Sequence, residues 1–253
     1  MRDYLEQKAL QYQNSDFIAS DPISIPHRFS SLQDIEIAGL LTATIAWGNR
    51  QAILKSANIM MDLLDNAPYE FVKRASASDV SRLNSFVYRT FQQDDLPGFV
   101  RALQAIYTHT DSMEHIFTPR NGETIKEGIS RFRNLILPHL SPRTHKHVAD
   151  VDHGAAAKRL NMFLRWMVRP SSYGVDFGLW RSIKPSQLMM PLDVHTATVS
   201  RTLGLLSRKQ NDWKAVEELT SILRRFDPDD PVKYDFALFG IGVNKELKPL
   251  PGR

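Results

Sequence analysis

The chain has 253 residues, 42% of them hydrophobic, and its 32 Lys and Arg against 28 Asp and Glu leave a net charge of +4. That length suits one all-α unit of two helical lobes around a well-buried core. The absence of cysteine excludes a disulfide framework, a thiolate nucleophile, a zinc finger and a Cys-ligated iron–sulfur cluster.

No apolar run approaches the length that spans a bilayer, and MRDYLEQKALQYQNSDF at the N-terminus lacks an apolar signal core, so a cytoplasmic protein is expected. Charge is divided unevenly along the chain. Residues 1–118 carry 10 Lys and Arg against 14 Asp and Glu, whereas residues 119–253 carry 22 against 14. An anionic partner is therefore expected on the second half.

Apolar residues recur at three-to-four spacing and β-branched alternation is nearly absent, which predicts an all-α fold. Residues 1–29 read as an N-terminal extension. A first strong helix is predicted after Ser30 or Ser31, with Asp34 three residues on in a capping-box arrangement, burying Ile35, Ile37, Leu40, Leu41 and Ile45 and running to about Trp47. The next spans Gln51 to about Leu64, before the Asn-Ala-Pro break at 66–68. Further helices are predicted at about 69–75, 95–108, 111–117 and 123–137. Pro138, Pro142 and the polar, histidine-rich SPRTHKHVADVDHG mark the boundary between lobes at about 30–140 and 145–253.

Beyond it come a helix from about Ala155 to Val168, the connection SSYGVDFGLWRSIKPSQLMMP, and a helix that begins around Asp193 and stops at Gly204. A helix from about Asp212 to Arg225 follows. The last has Asp229 or Asp230 as cap and Pro231 in its first turn.

Chemistry concentrates in two of these segments. Asp193 is a good N-cap, and a carboxylate fixed by backbone donors is also well placed to stabilise a developing positive charge. On GAAAKRLNMFLRWMVRP, the residues Ala156, Leu160, Phe163, Leu164 and Met167 form an apolar stripe that predicts the core-facing side. Lys158, Met162, Arg165 and Arg169 share the opposite side, flanked by Arg159 and Trp166. With no acidic residue in the helix for i,i+4 pairing, that side reads either as a solvated face or as a surface for phosphates.

The string Pro191-x-Asp193-x-His195-x-x-x-Val199-x-x-x-Leu203-Gly204-Leu205 resembles the signature helix of the helix-hairpin-helix DNA glycosylase superfamily. Lys158, 35 residues upstream, occupies the place of that superfamily's active-site lysine. AAAKRLNMFLRWMVR is most similar to the archaeal 8-oxoguanine glycosylase branch, and also to a bacterial family of unknown function that shares FLRWMVR. The resemblance covers about 155–205. More weakly, it extends to ATIAWGNRQAIL and to DFALFGIGV, which looks like the closing helix of that fold. The chain departs from the pattern where HVADVDH and Gly154 replace the glycine-rich hairpin, and where Thr198 stands for the customary arginine.

The resemblance implies a monomeric base-excision glycosylase, nucleoid-associated, with no cofactor and no metal. It would act on duplex DNA carrying an oxidised or otherwise damaged base. Asp193 would stabilise the sugar cation, and Lys158, as a free amine at the bottom of a cleft between the lobes and facing Asp193, would form a Schiff base that permits β-elimination. Arg159, Arg165, Arg169, His195 and Arg201 are the candidate nucleic-acid contacts. Trp47, Gln51, Trp166, Phe177 and Trp180 are the candidates for the base pocket. Two other readings stand beside this one: a nucleic-acid-binding protein on the same fold without turnover, and a metal-dependent phosphohydrolase using His145, His147, Asp150, Asp152, His153, Asp193 and His195.

Overall fold

The computed structural model describes residues 1–247 and is all-helical: among these residues β-structure is confined to two isolated bridges, Tyr88 with Phe91 and Ala155 with Asp212. In chain order the helices are α1 (Arg2–Tyr12), α2 (Asp16–Ser20), α3 (Leu32–Thr44), α4 (Arg50–Leu63), α5 (Pro68–Arg74), α6 (Ala77–Arg82) and α7 (Asp95–His109). There follow α8 (Glu114–Phe117), α9 (Ile125–Ile136), α10 (Lys158–Val168), α11 (Val194–Thr202), α12 (Trp213–Phe226) and α13 (Tyr234–Val243). No helix among the described residues is long and apolar enough to cross a membrane.

Local chemistry sets most of these boundaries. Ser31 and Asn49 cap α3 and α4 by accepting the amides of Asp34 and Ala52, and Thr124 with Glu127 closes a capping box on α9. Asp212 starts α12 by accepting the amide of Ala215 at 3.1 Å. The last helix departs from expectation: Asp230 makes no side-chain cap, and Pro231 opens a 3-10 turn that leads into α13.

The chain divides into two compact units, residues 18–149 and residues 1–17 with 150–253. In the first, α3 is buried from Ile35 to Thr44, with α4 and α5 packed on it and α7 bridging α5 to α9. Even the charged residue buried within α3 is satisfied. Glu36 accepts from the Tyr107 hydroxyl at 2.5 Å and from the Met113 amide at 3.0 Å. Asp95, fully buried at the start of α7, takes Gln92 N, Arg143, Thr144 Oγ1 and His147 Nε2, which ties residues 143–147 to that helix.

In the second unit α13 is the hub, packing against α1 on one side and α11 on another. Residues 1–17 are thus an integral part of this unit rather than an extension. Gly240 is what permits the close approach of α1, since a Cβ there would lie 2.2 Å from the Tyr12 ring. Helix α10 is buried continuously from Leu160 to Val168, and Phe163, Trp166 and Met167 are closed to solvent. Each such side chain contributes about 2 kcal/mol by leaving water.

Candidate functional site

Asp193 caps α11 as expected, its Oδ1 accepting the Thr196 amide at 2.9 Å. The cap holds the half-buried carboxylate in place at the start of α11, which packs on α13 closely enough that a Cβ added at Gly242 would lie 3.1 Å from the Cβ of His195. Lys158 is the first residue of α10, half-buried, with its Nζ 3.5 Å from the Met162 sulfur. The residue before it, Ala157, is held at φ +49°, a left-handed conformation that costs an alanine about 1 kcal/mol.

The residue that joins the two is Asp235, on the first turn of α13 and buried. Desolvation is the largest influence on its carboxyl and pushes the pKa up to about 6. Arg165 opposes that shift, Asp193 adds to it and Lys158 opposes it. The Lys158 amine and the Asp193 carboxylate therefore both lie within electrostatic reach of one buried acid.

Arg165 on α10 and Arg169 just beyond its end are committed internally, which corrects their assignment as phosphate contacts. Arg165 donates from Nη1 to Asp235 and from Nε to Asp176 at 3.3 Å, with its guanidinium 4.3 Å from the Phe236 ring centroid. Arg169 donates to Asp176 at 2.6 Å and to Asp230 at 2.8 Å. Both arginines are buried, so the stripe opposite the apolar one faces carboxylates from other segments and not solvent. The missing acids within α10 signalled distant partners. Asp176 and Asp235 went unremarked in the sequence and Asp230 figured there only as a helix cap, although the acid-dense FDPDDPVKYD holds both Asp230 and Asp235.

The other candidates separate in the same way. Arg201 staples the 207–211 loop, donating to the carbonyls of Arg208 and Lys209 and to the Asn211 side chain, so it too is a brace. Arg159 is half-buried, and desolvation pulls its guanidinium down to about 10, which leaves it charged at neutral pH. His195 is exposed beside Asp193, its ring set edge-on to Phe239 at 6.4 Å. Trp166 and Trp180 are core residues at 0% and 1% exposure, and Trp180 packs edge-on against Phe163, so neither offers a face to a base. Phe177 is half-buried, its amide bound to the Trp166 carbonyl at 2.8 Å. Trp47, half-buried and stacked on His147 at 5.5 Å, and the exposed Gln51 belong to the unit of residues 18–149.

The metal-ligand reading loses its geometry. His147 is bound to Asp95 and the Thr90 carbonyl, and His153 pairs with Asp150 at 3.0 Å. No group of three or more His, Asp or Glu suited to a metal ion occurs among the described residues.

A family model described as "Protein of unknown function (DUF2400)" matches residues 21–244. The chain belongs to that family. No curated protein and no solved structure matches it. The matched span holds Lys158, Asp193, Asp235 and the arginine network of α10, whereas α1 and α2 lie before it.

Proposed function

We propose that this protein is a DNA base-excision glycosylase with lyase activity, acting on duplex DNA that carries a damaged base. One observation carries the reading: Lys158 and Asp193, 35 residues apart, both act electrostatically on the buried carboxyl of Asp235. An amine and a fixed carboxylate brought together in this way suit chemistry at an anomeric carbon.

Extrusion of the damaged base from the stack costs a few kcal/mol, least for a lesion that already pairs poorly. Asp193, held by the Thr196 amide, stabilises positive charge on the sugar as the glycosidic bond breaks. The Lys158 amine forms a bond to C1′ while the base departs with the glycosidic electron pair. Loss of the amine proton and opening of the sugar ring, with O4′ taking up a proton, give a Schiff base; loss of a C2′ proton then forms the C2′–C3′ double bond as the 3′-phosphate leaves with the C3′–oxygen electron pair. Arg165, Arg169 and Arg201 are engaged inside the protein; this reading assigns the exposed His195 to contact with DNA near the site.

Borohydride trapping tests it. Duplexes bearing single lesions, 8-oxoguanine and uracil among them, are expected to yield a covalent adduct that Lys158→Gln abolishes. Tight binding with neither adduct nor base release across a broad lesion panel would overturn catalysis in favour of a binding protein on the same scaffold.

A further inference from the structure

Residues 1–17 lie outside the span matched by the family model, yet their side chains converge on the start of α13. Glu6 accepts from the Tyr234 hydroxyl at 2.5 Å and from Lys233 Nζ at 2.9 Å, fixing the two residues that precede Asp235. Phe17 sets its ring edge-on to Phe236, the residue that follows Asp235, at 5.4 Å. Gln13, buried at the end of α1, accepts from Arg169 at 3.3 Å, and Arg169 shares Asp176 with Arg165, the partner of Asp235. Three side chains of one segment thus hold both sequence neighbours of Asp235 and the ion network that reaches it. At the far end of α13, α1 makes a separate tie, in which Lys8 and Tyr12 bind Glu246.

Packing of α1 on α13 alone would be served by the buried Leu5 and Ala9 and by Gly240, which admits the Tyr12 ring. The polar contacts go further, because they fix a direction as well as a distance. From this arrangement we infer that Glu6, Phe17 and Gln13 are positioning residues, bracing the start of α13 so that the Asp235 carboxyl stays buried against Arg165, within the electrostatic reach of Lys158 and Asp193. The inference rests on the proposed role of Lys158 and Asp193. The charged groups around Asp235 are Lys158 and Arg165 on α10, Asp193 at the start of α11 and Asp176 from the connection, with Lys233 and Glu6 beyond Tyr234.

The test is a titration of the full-length protein labelled with carboxyl-13C aspartate, the Asp235 resonance being assigned by its loss in Asp235→Asn. In Glu6→Ala/Gln13→Ala the carboxyl gains access to water, and its midpoint is expected to fall toward the ordinary carboxylate range by more than about half a unit. Lys8→Ala, which loosens α1 only at the far end of α13, is expected to leave the midpoint in place. An unchanged midpoint in the double variant, or an equal shift in Lys8→Ala, would overturn the bracing role. If the double variant does not fold, the two single substitutions are read by the same criteria. The titration needs no turnover, so it separates failure of the brace from failure of the glycosylase reading. Where the wild type gives a borohydride adduct, the pH optimum for trapping should move with the Asp235 midpoint.

Discussion

Arg165 donates from Nη1 to Oδ2 of Asp235, a contact between residues 70 apart in which both side chains are withdrawn from water. It turns what the helical wheel shows as a cationic surface into an interior ion network. Two buried arginines are set against Asp176, Asp230 and Asp235, and a ring, Phe236, lies beneath both guanidinia. Charges in such a place persist only when their geometry is satisfied on every side.

Removing one member should therefore cost far more than a surface ion pair. Arg165→Met leaves Asp235 without its hydrogen-bonded partner and Asp176 with Arg169 alone, and a loss of about 3–5 kcal/mol in unfolding free energy is expected from urea titration at neutral pH. Arg165→Met/Asp235→Leu, which removes both charges, should recover a large part of that loss. A double variant no more stable than the single one would show that packing around the pair, rather than an uncompensated charge, sets the cost.

Asp235 also makes a pH dependence with a definite sign. Its folded carboxyl keeps a proton up to about pH 6, above the 3.8 of an ordinary aspartate. The favourable contribution is thus fully present below about pH 3.8 and is lost as pH rises through about 6. The stability of wild type relative to Asp235→Asn should fall by about 3 kcal/mol over that interval. Urea unfolding of both proteins at several pH values checks this, and a difference that rises with pH would mean that Arg165 outweighs desolvation.

How much of this could be read from the chain differs by element. Helices α3 and α12 were legible because each joins an N-cap residue, Ser31 or Asp212, to an apolar periodicity, and α4 by its periodicity, its cap Asn49 going unread. Helix α1 was not, since only Leu5 and Ala9 of its residues are buried and no apolar stripe marks it. The periodicity of α10 was read correctly, but not its surroundings: helical spacing reports which residues share a face, and not whether a remote carboxylate covers that face. Lys158 and Asp193 were visible as residue types in a spaced motif. Asp235 was hidden because only the fold of residues 150–243 carries it toward them.

Gly128 offers a test of the other unit, independent of the site. A Cβ added there would lie 2.2 Å from the Phe117 carbonyl oxygen, a backbone atom that cannot swing aside. Gly128→Ala should push α9 away from α8 and cost about 3 kcal/mol, against the small gain that alanine brings to an unhindered helix. Thermal unfolding that matched the wild type would show that α8 moves freely enough to accommodate a methyl group.

Asp193 serves as a cap and is proposed to act in chemistry, and two substitutions part these roles. Asparagine caps a helix as well as aspartate does, so Asp193→Asn should keep the Thr196 amide satisfied and leave stability within about 0.5 kcal/mol of wild type. Asp193→Ala forfeits the cap and should lose about 1 kcal/mol. If the negative charge stabilises the sugar cation, adduct formation on a lesion duplex should collapse in both variants alike, although only one of them is destabilised. Should Asp193→Asn trap its substrate at the wild-type rate, the carboxylate would be a cap alone, and the charge facing the sugar would have to come from another residue.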